Sequence, residues 1–317
     1  MLGYLIGLAT VTLIAIMLAA SLNIMVGYSR IYSLAHGSIY GIGAYSAALI
    51  AIHMTSNLVI VSVTAMFVGM LAGIILATIA ARIHFEYFVV ASLGFQIVLD
   101  GLFSNWQSVT GGPSGLSGIP ALSMFGVSLG SPTQVLVVVL VVTLVTLMAI
   151  WGLTNSRWGR RIKAVGDDEI GASTLGIRPS SARVLASAAS GLFAGWAGAM
   201  FAYNMAFINS DSFTSAESVS IMAMVILGGA GTFWGPVIGA VFITVIPALL
   251  GYMSLPPAVT GLWEELIFGV LLILMMRFQP SGLIGIIGTL RRKSIHVSGD
   301  TTASLVRVSG DQAEEVE

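Results

Sequence analysis

The run from Pro132 to Leu153, PTQVLVVVLVVTLVTLMAIWGL, holds no charged side chain, and it is one of several such runs in the chain. An α-helix rises ~1.5 Å per residue, so roughly 20 apolar residues cross the hydrocarbon core of a bilayer. Comparable runs cover Leu2–Ile24, Ser38–Met54, Leu58–Ala81, Phe88–Phe103, Val184–Phe207, Val219–Leu227 with its glycine-rich sequel, Gly235–Leu250 and Leu262–Met276. In lipid a spanning segment must pair its own amides and carbonyls, which for isolated runs means helix. With 56% hydrophobic and 9% charged residues, the balance excludes a soluble globular domain. The expected fold is all-α, a polytopic helical membrane protein of about nine transmembrane or membrane-penetrating helices, with eight to ten compatible with the pattern. The second, fourth, seventh and ninth runs are short, and short Gly-interrupted spans can be tilted, broken or re-entrant where protein covers their backbone. The opening residues MLGYLIGLATVTLIA lack a basic n-region and read as a retained first span.

Charge placement orients these spans. With nine of them and the N-terminus outside, all 13 Lys and Arg residues fall on the inner face, in the segments holding Arg30, Arg82, Arg157–Arg183, Arg277, Arg291–Lys293 and Arg307. The positive-inside rule therefore predicts an N-terminus outside and a cytoplasmic C-terminus. Four acids lie on the other side, Asp211, Glu217, Glu264 and Glu265, with Asp100 near the outer end of its span. Residues 1–290 read as the membrane domain. Residues 291–317 end in DQAEEVE without apolar periodicity and read as a disordered cytoplasmic tail.

The one long polar interval between spans is NSRWGRRIKAVGDDEIGASTLGIRP, Asn155 to Pro179, within a segment 155–182. It predicts a very short capped helix. Asp167 or Asp168 serves as N-cap, acids face the positive end of the dipole, Gly176 takes the left-handed position after the last turn, and Pro179 blocks continuation. A membrane protein with such a helix on its basic face has a handle for a soluble partner. By contrast, the outer segment TGGPSGLSGIP, Thr110 to Pro120, is turn chemistry with no helix expected.

Small residues recur every fourth position at Ser187, Gly191, Gly195 and Ala199, at Gly231, Gly235 and Gly239, at Gly69 and Gly73, and at Gly37 and Gly41. Such stripes let helix backbones approach closely in lipid, so they read first as helix packing. Candidates for a translocation path are His36, Asp100 and Gln96, the last one turn from Asp100 on the same helical face, with Asn105 able to join them. For each, a structural role is the competing reading: His36 as a capping or hydrogen-bonded histidine, Asp100 as an acid reaching interfacial water. Arg82 and Glu86, four apart, read as a loop ion pair.

Several chemistries are excluded or left without support. There is no cysteine, hence no disulfide or thiol chemistry. No HExxH or other metal-ligand spacing occurs, and the glycine-rich strings GGPSGLSG and GGAGTFWGP lack the lysine ending of a phosphate loop, so any ATP that drives this chain must bind another subunit. An ion-coupled secondary transporter would want titratable groups near midplane, and the spans offer almost none.

Taken in order, LNIMVGYSRIYSLAHGSIYGIGAYSAAL, TGGPSGLSGIP, GRRIKAVGDDEIGASTLGI, SIMAMVILGGAGTFWGPVIGAVF and PSGLIGI resemble the permease subunits of ABC importers for branched-chain amino acids, specifically the M-type subunit. The resemblance runs from about Leu22 to Ile286. It implies a transport subunit without its own ATPase site, and no cofactor in this chain, since ATP and Mg are bound by partner subunits. The implied partners are a second, H-type permease, two ATP-binding subunits and an extracytoplasmic substrate-binding protein, in the bacterial inner membrane and without nucleic acid. It also implies that the short polar helix is the coupling helix, with Gly159, Arg160, Asp168, Glu169, Ala172 and Gly176 at matching positions. Closely similar permeases serve importers of urea, amides and other small solutes, so the substrate stays open here.

Overall fold

The computed structural model describes residues 2–80, 85–124, 127–251 and 269. The ninth run except residue 269, the tail and Arg82 of the expected Arg82–Glu86 pair lie outside them. The fold is all-α. Helix α1 (Leu2–Asn23) continues as a π-helical turn, Ile24–Tyr28, and α2 (His36–His53) follows an irregular link. Then come α3 (Leu58–Ala80), α4 (Phe85–Asn105), the single turn α5 (Gln107–Thr110) and α6 (Pro132–Asn155). Two short helices, α7 (Arg157–Asp167) and α8 (Glu169–Thr174), lead into α9 (Pro179–Met205), α10 (Ser215–Gly228) and α11 (Gly235–Gly251). Among the described residues, five helices are long and apolar enough to cross a membrane: those over Leu2–Tyr28, Leu58–Ile79, Tyr87–Asn105, Pro132–Asn155 and Pro179–Met205.

Burial follows the logic of a lipid solvent. On α3 the large residues Val59, Val63, Phe67 and Ile75 are exposed, and on α6 so are Val137, Val141, Met148 and Trp151. Large apolar side chains such as Met17, Leu22, Met25 and Phe213 fill the interior, while the seam between α3 and α9 is lined by small residues. Gly69 and Gly73 of α3 meet Gly191 and Ser187 of α9 backbone to backbone, and a methyl group on Gly191 would overlap the Gly69 carbonyl oxygen. Gly195 is wedged between α3 and Gly43 of α2. Helices α2, α3 and α9 thus form the packed centre, held by close van der Waals contact rather than by bulky side chains.

The stripe expected at Gly231, Gly235 and Gly239 is different. Gly235 and Gly239 do lie on α11, against Gly228 and Met224 of α10. Gly231, however, sits in the turn before α11 at φ +80°, seated on Gly27 of the π-turn. A four-residue spacing carries no information about where a helix starts, and the left-handed residue excludes Gly231 from the helical face.

Two further expectations are corrected. The segment Thr110 to Pro120 contains a 3₁₀ turn, Gly112–Ser114, and a strand, Leu116–Ser117, paired antiparallel with Phe207–Ile208. A second two-stranded antiparallel pairing joins Leu122–Met124 and Val127–Leu129. The polar interval holds two helices, not one, and Pro179 begins α9 as its first residue, where a missing amide proton is harmless.

Candidate functional site

The α7–α8 unit is assembled from local rules. Ser156 caps α7: its Oγ accepts from the amides of Trp158 and Gly159 at 3.2 and 3.3 Å and donates to the Leu153 carbonyl at 2.6 Å. Gly159 lets the chain fold back, because a side chain there would overlap the carbonyl oxygens of Leu153 and Thr154. Ile162 and Val165 form the buried face of α7, while Arg157, Trp158, Arg160 and Arg161 face outward. The Arg160 guanidinium donates back to the Asn155 carbonyl at 3.1 Å.

Of the two cap candidates, the structure uses Asp168. Its Oδ1 accepts from the amides of Ile170 and Gly171, both at 3.0 Å. Asp167 pairs instead with Arg30 at 3.0 Å, an exposed contact worth little by itself. At the far end of α8, Gly176 adopts φ +78°. The Gly176 amide donates to Ser173 and the Ile177 amide to Ala172, the two bonds of a Schellman ending. Ala172 and Ile177 then close a small apolar cluster with Val165 and Ala182.

The unit is tied to two spans besides α6. Lys163 lies over the Tyr28 ring at 4.8 Å, and Gly166 packs on the Tyr28 carbonyl, fastening α7 to the end of α1. Glu169 of α8 accepts from Arg183 of α9 at 2.6 Å. Gly159, Arg160, Asp168, Glu169, Ala172 and Gly176 therefore all come together, but as the frame: each has a partner or a packing duty within the chain. What projects is different. Ile170 and Leu175 are 78% and 81% exposed, the barest large aliphatic side chains of the unit, with Trp158 of α7 also facing outward. The sequence offered five large aliphatic residues in this interval, Ile162, Val165, Ile170, Leu175 and Ile177, and nothing local distinguishes the two that stay bare from the three that pack.

The path candidates form a second cluster, at the start of α2. Ala35 offers no side-chain cap, yet the helix begins in the protein interior. Neighbours supply the caps: the Gly37 amide donates to Ser218 Oγ at 2.8 Å and the Ser38 amide to Gln96 Oε1 at 2.9 Å. Gln96 Nε2 donates to the Phe213 carbonyl and to Asp100 Oδ1, both at 2.7 Å, and Ser218 Oγ donates to Gln96 Oε1 at 2.8 Å. Gln96 and Asp100 are thus brought together as their spacing predicts. His36 turns the other way: its Nε2 lies 2.8 Å from Ser21 Oγ on α1. Because that hydroxyl donates to the Leu18 carbonyl, Nε2 is the protonated nitrogen. Asn105 does not join the cluster; it bonds back to the Gly101 carbonyl of its own helix.

A third set of contacts ties the end of α1 to the turn after α10. Asn23, at the head of the π-turn, donates to the Thr232 carbonyl and accepts from the Gly231 amide, both at 2.9 Å. The turn between α10 and α11 is therefore fastened to the segment of α1 that α7 grips.

Comparison with known proteins gives the class of the molecule. Residues 4–276 match the family described as branched-chain amino acid transport system / permease component. The chain belongs to this family. It is 31% identical over 300 residues to the high-affinity branched-chain amino acid transport system permease protein LivM of Salmonella typhimurium, covering 87% of this chain and 69% of that relative. The LivM of Escherichia coli K12 is 30% identical over the same coverage. The autoinducer 2 import system permease protein LsrC of Escherichia coli O9:H4 is 31% identical over 251 residues, covering 77% of this chain and 69% of that protein. No solved structure matches. Membership in a permease family and the apolar helices together make the chain a multi-pass membrane permease component.

Proposed function

We propose that this chain is the M-type permease of an ATP-driven importer of branched-chain amino acids, lining about half of a path shared with an H-type permease. Its N-terminus lies outside and its C-terminus in the cytoplasm of a bacterial inner membrane. Two ATP-binding subunits carry ATP and Mg, and an extracytoplasmic binding protein delivers the substrate. The observation that carries this reading is the bare Ile170–Leu175 pair on a helix capped at both ends. Large exposed aliphatics at an aqueous face fit a groove in a soluble partner, and the double capping keeps them in one orientation.

The attachments say how a push would travel. Force on α8 passes to α9 through Glu169–Arg183 and to the end of α1 through α7, then through Asn23 to the α10–α11 turn. Helices that slide as packed bodies can convert such a push into alternate access. The polar cluster of Gln96, Asp100 and Ser218, with His36 bonded to Ser21 on the other side, acts in this scheme as the fixed anchor of α2, alongside the path.

Uptake of labelled leucine, measured with and without the gene, under ATP depletion and under an uncoupler with ATP maintained, tests the reading. Gene-dependent uptake that needs ATP and survives the uncoupler is expected; uptake that collapses with the proton gradient would overturn it. The likeness to an autoinducer 2 permease favours one second reading, import of a different small solute by the same architecture. A null result with leucine and a positive one with such a solute would select it.

A further inference from the structure

Away from the anchor of α2, a cavity of about 270 Å³ opens between α1, α2, α9 and α10. One wall is a stripe of α1, with Ile14, Ala15 and Leu18 presenting only aliphatic surface. The opposite wall is polar and anionic. Glu217, in the first turn of α10, and Asp211, in the preceding 3₁₀ turn, both line the space. Tyr40 of α2, 3% exposed, also lines the space, with its ring held by Phe201 at 5.4 Å and Phe213 at 5.2 Å. Its hydroxyl has no hydrogen-bond partner among the described residues, although it borders the cavity.

These features select a ligand by charge and shape. No Lys or Arg lines the cavity, and neither carboxylate is ion-paired among the described residues. A half-buried carboxylate such as Glu217 beside an apolar wall favours a cation, and the Tyr40 hydroxyl bordering the same space offers that cation a further acceptor. The volume, just below the usual range of small-molecule sites, suits a small solute. A purely anionic solute would meet only repulsion, and a solute without an aliphatic part would leave the α1 stripe unused.

We propose that this cavity is a binding station for the ammonium end of a small aliphatic amino acid, with Glu217 and Asp211 as counter-charges, Tyr40 as a further acceptor and the α1 stripe against the side chain. The inference rests on the importer reading above and names where the substrate would meet this chain. It also puts the station on α10, the helix whose far end is fastened through Gly231 to the part of α1 that α7 grips.

The test is leucine uptake by cells carrying the whole importer, with this chain as wild type, Glu217→Gln, Glu217→Asp or Ala15→Phe. Membrane levels and the ATP hydrolysis rate of the purified assembly are measured alongside. Losing a charge-assisted contact to the substrate predicts about a tenfold or greater fall in uptake for Glu217→Gln. Glu217→Asp should keep most of the uptake, and Ala15→Phe, which fills the cavity without touching either acid, should lose it. Membrane levels should stay at the wild-type value, so that the fall in uptake reports the station. Wild-type uptake by Glu217→Gln at normal membrane levels would overturn the station alone. A wild-type importer that moves no leucine would overturn the substrate assignment and the station with it, so the two failures are told apart.

Discussion

The Arg183 guanidinium lies 2.6 Å from the Glu169 carboxylate, joining the six-residue helix α8 to the long span α9 across fourteen positions of sequence. The arginine side chain is only 16% exposed and the glutamate 48%. The pair is therefore less screened than a surface bridge, though its contribution to stability stays about 1 kcal/mol. Its value to the molecule is direction, since it is the one ion pair by which α8 holds a membrane helix among the described residues.

Glu169→Lys sets two cations against each other and should release α8 from α9. Leucine uptake is expected to fall severalfold while membrane levels hold, because the spans themselves keep their packing. The double variant Glu169→Arg with Arg183→Glu restores the attraction and should recover part of the loss. Normal uptake by the single variant, measured at matched membrane levels, would show that the bridge carries no coupling.

The outward pair makes a separate prediction. Ile170→Asp and Leu175→Asp change side chains that touch little of this chain, so stability should move by no more than about 0.5 kcal/mol. Co-purification of the ATP-binding subunits should nevertheless fail, and uptake with it. Retention of those subunits on both variants would place the docking surface elsewhere.

Gln96 tests the anchor of α2. Replacing it with Leu removes the acceptor of the Ser38 amide and of the Ser218 hydroxyl, and the donor to the Phe213 carbonyl. Each buried group left unpaired costs about 1–3 kcal/mol, so the variant should melt well below wild type in detergent, or fail to accumulate. Ser218→Ala removes fewer contacts and should fall between the two. A Gln96→Leu protein as stable as wild type would mean that the cluster is not what holds α2.

Much of this was readable along the chain because it depends on neighbours in sequence. Apolar runs announce helices wherever lipid is the solvent, and the cap at Asp168 and the left-handed Gly176 are local chemistry within a few residues of each other. The choice between Asp167 and Asp168 was not, because both can cap and the difference lies in Arg30, far away in sequence. Helix α7 was missed for a related reason. Its apolar face is only Ile162 and Val165, too few to show a period, and it exists because Tyr28, Ala182 and the end of α6 give that face something to pack on.

The sequence by itself determined that this chain spans a membrane as helices, where a polar handle interrupts them, and that the handle is a capped helix; each follows from short-range hydrogen bonding and from the solvent of a bilayer. Only the tertiary structure decided what those parts face. It turned His36 toward Ser21 and away from Gln96, took Gly231 out of its stripe, tied Glu169 to Arg183 and left Ile170 and Leu175 bare. The physical reason is that partners in a packed membrane bundle come from segments many residues apart, and no periodicity within a single helix records which backbone will lie against it.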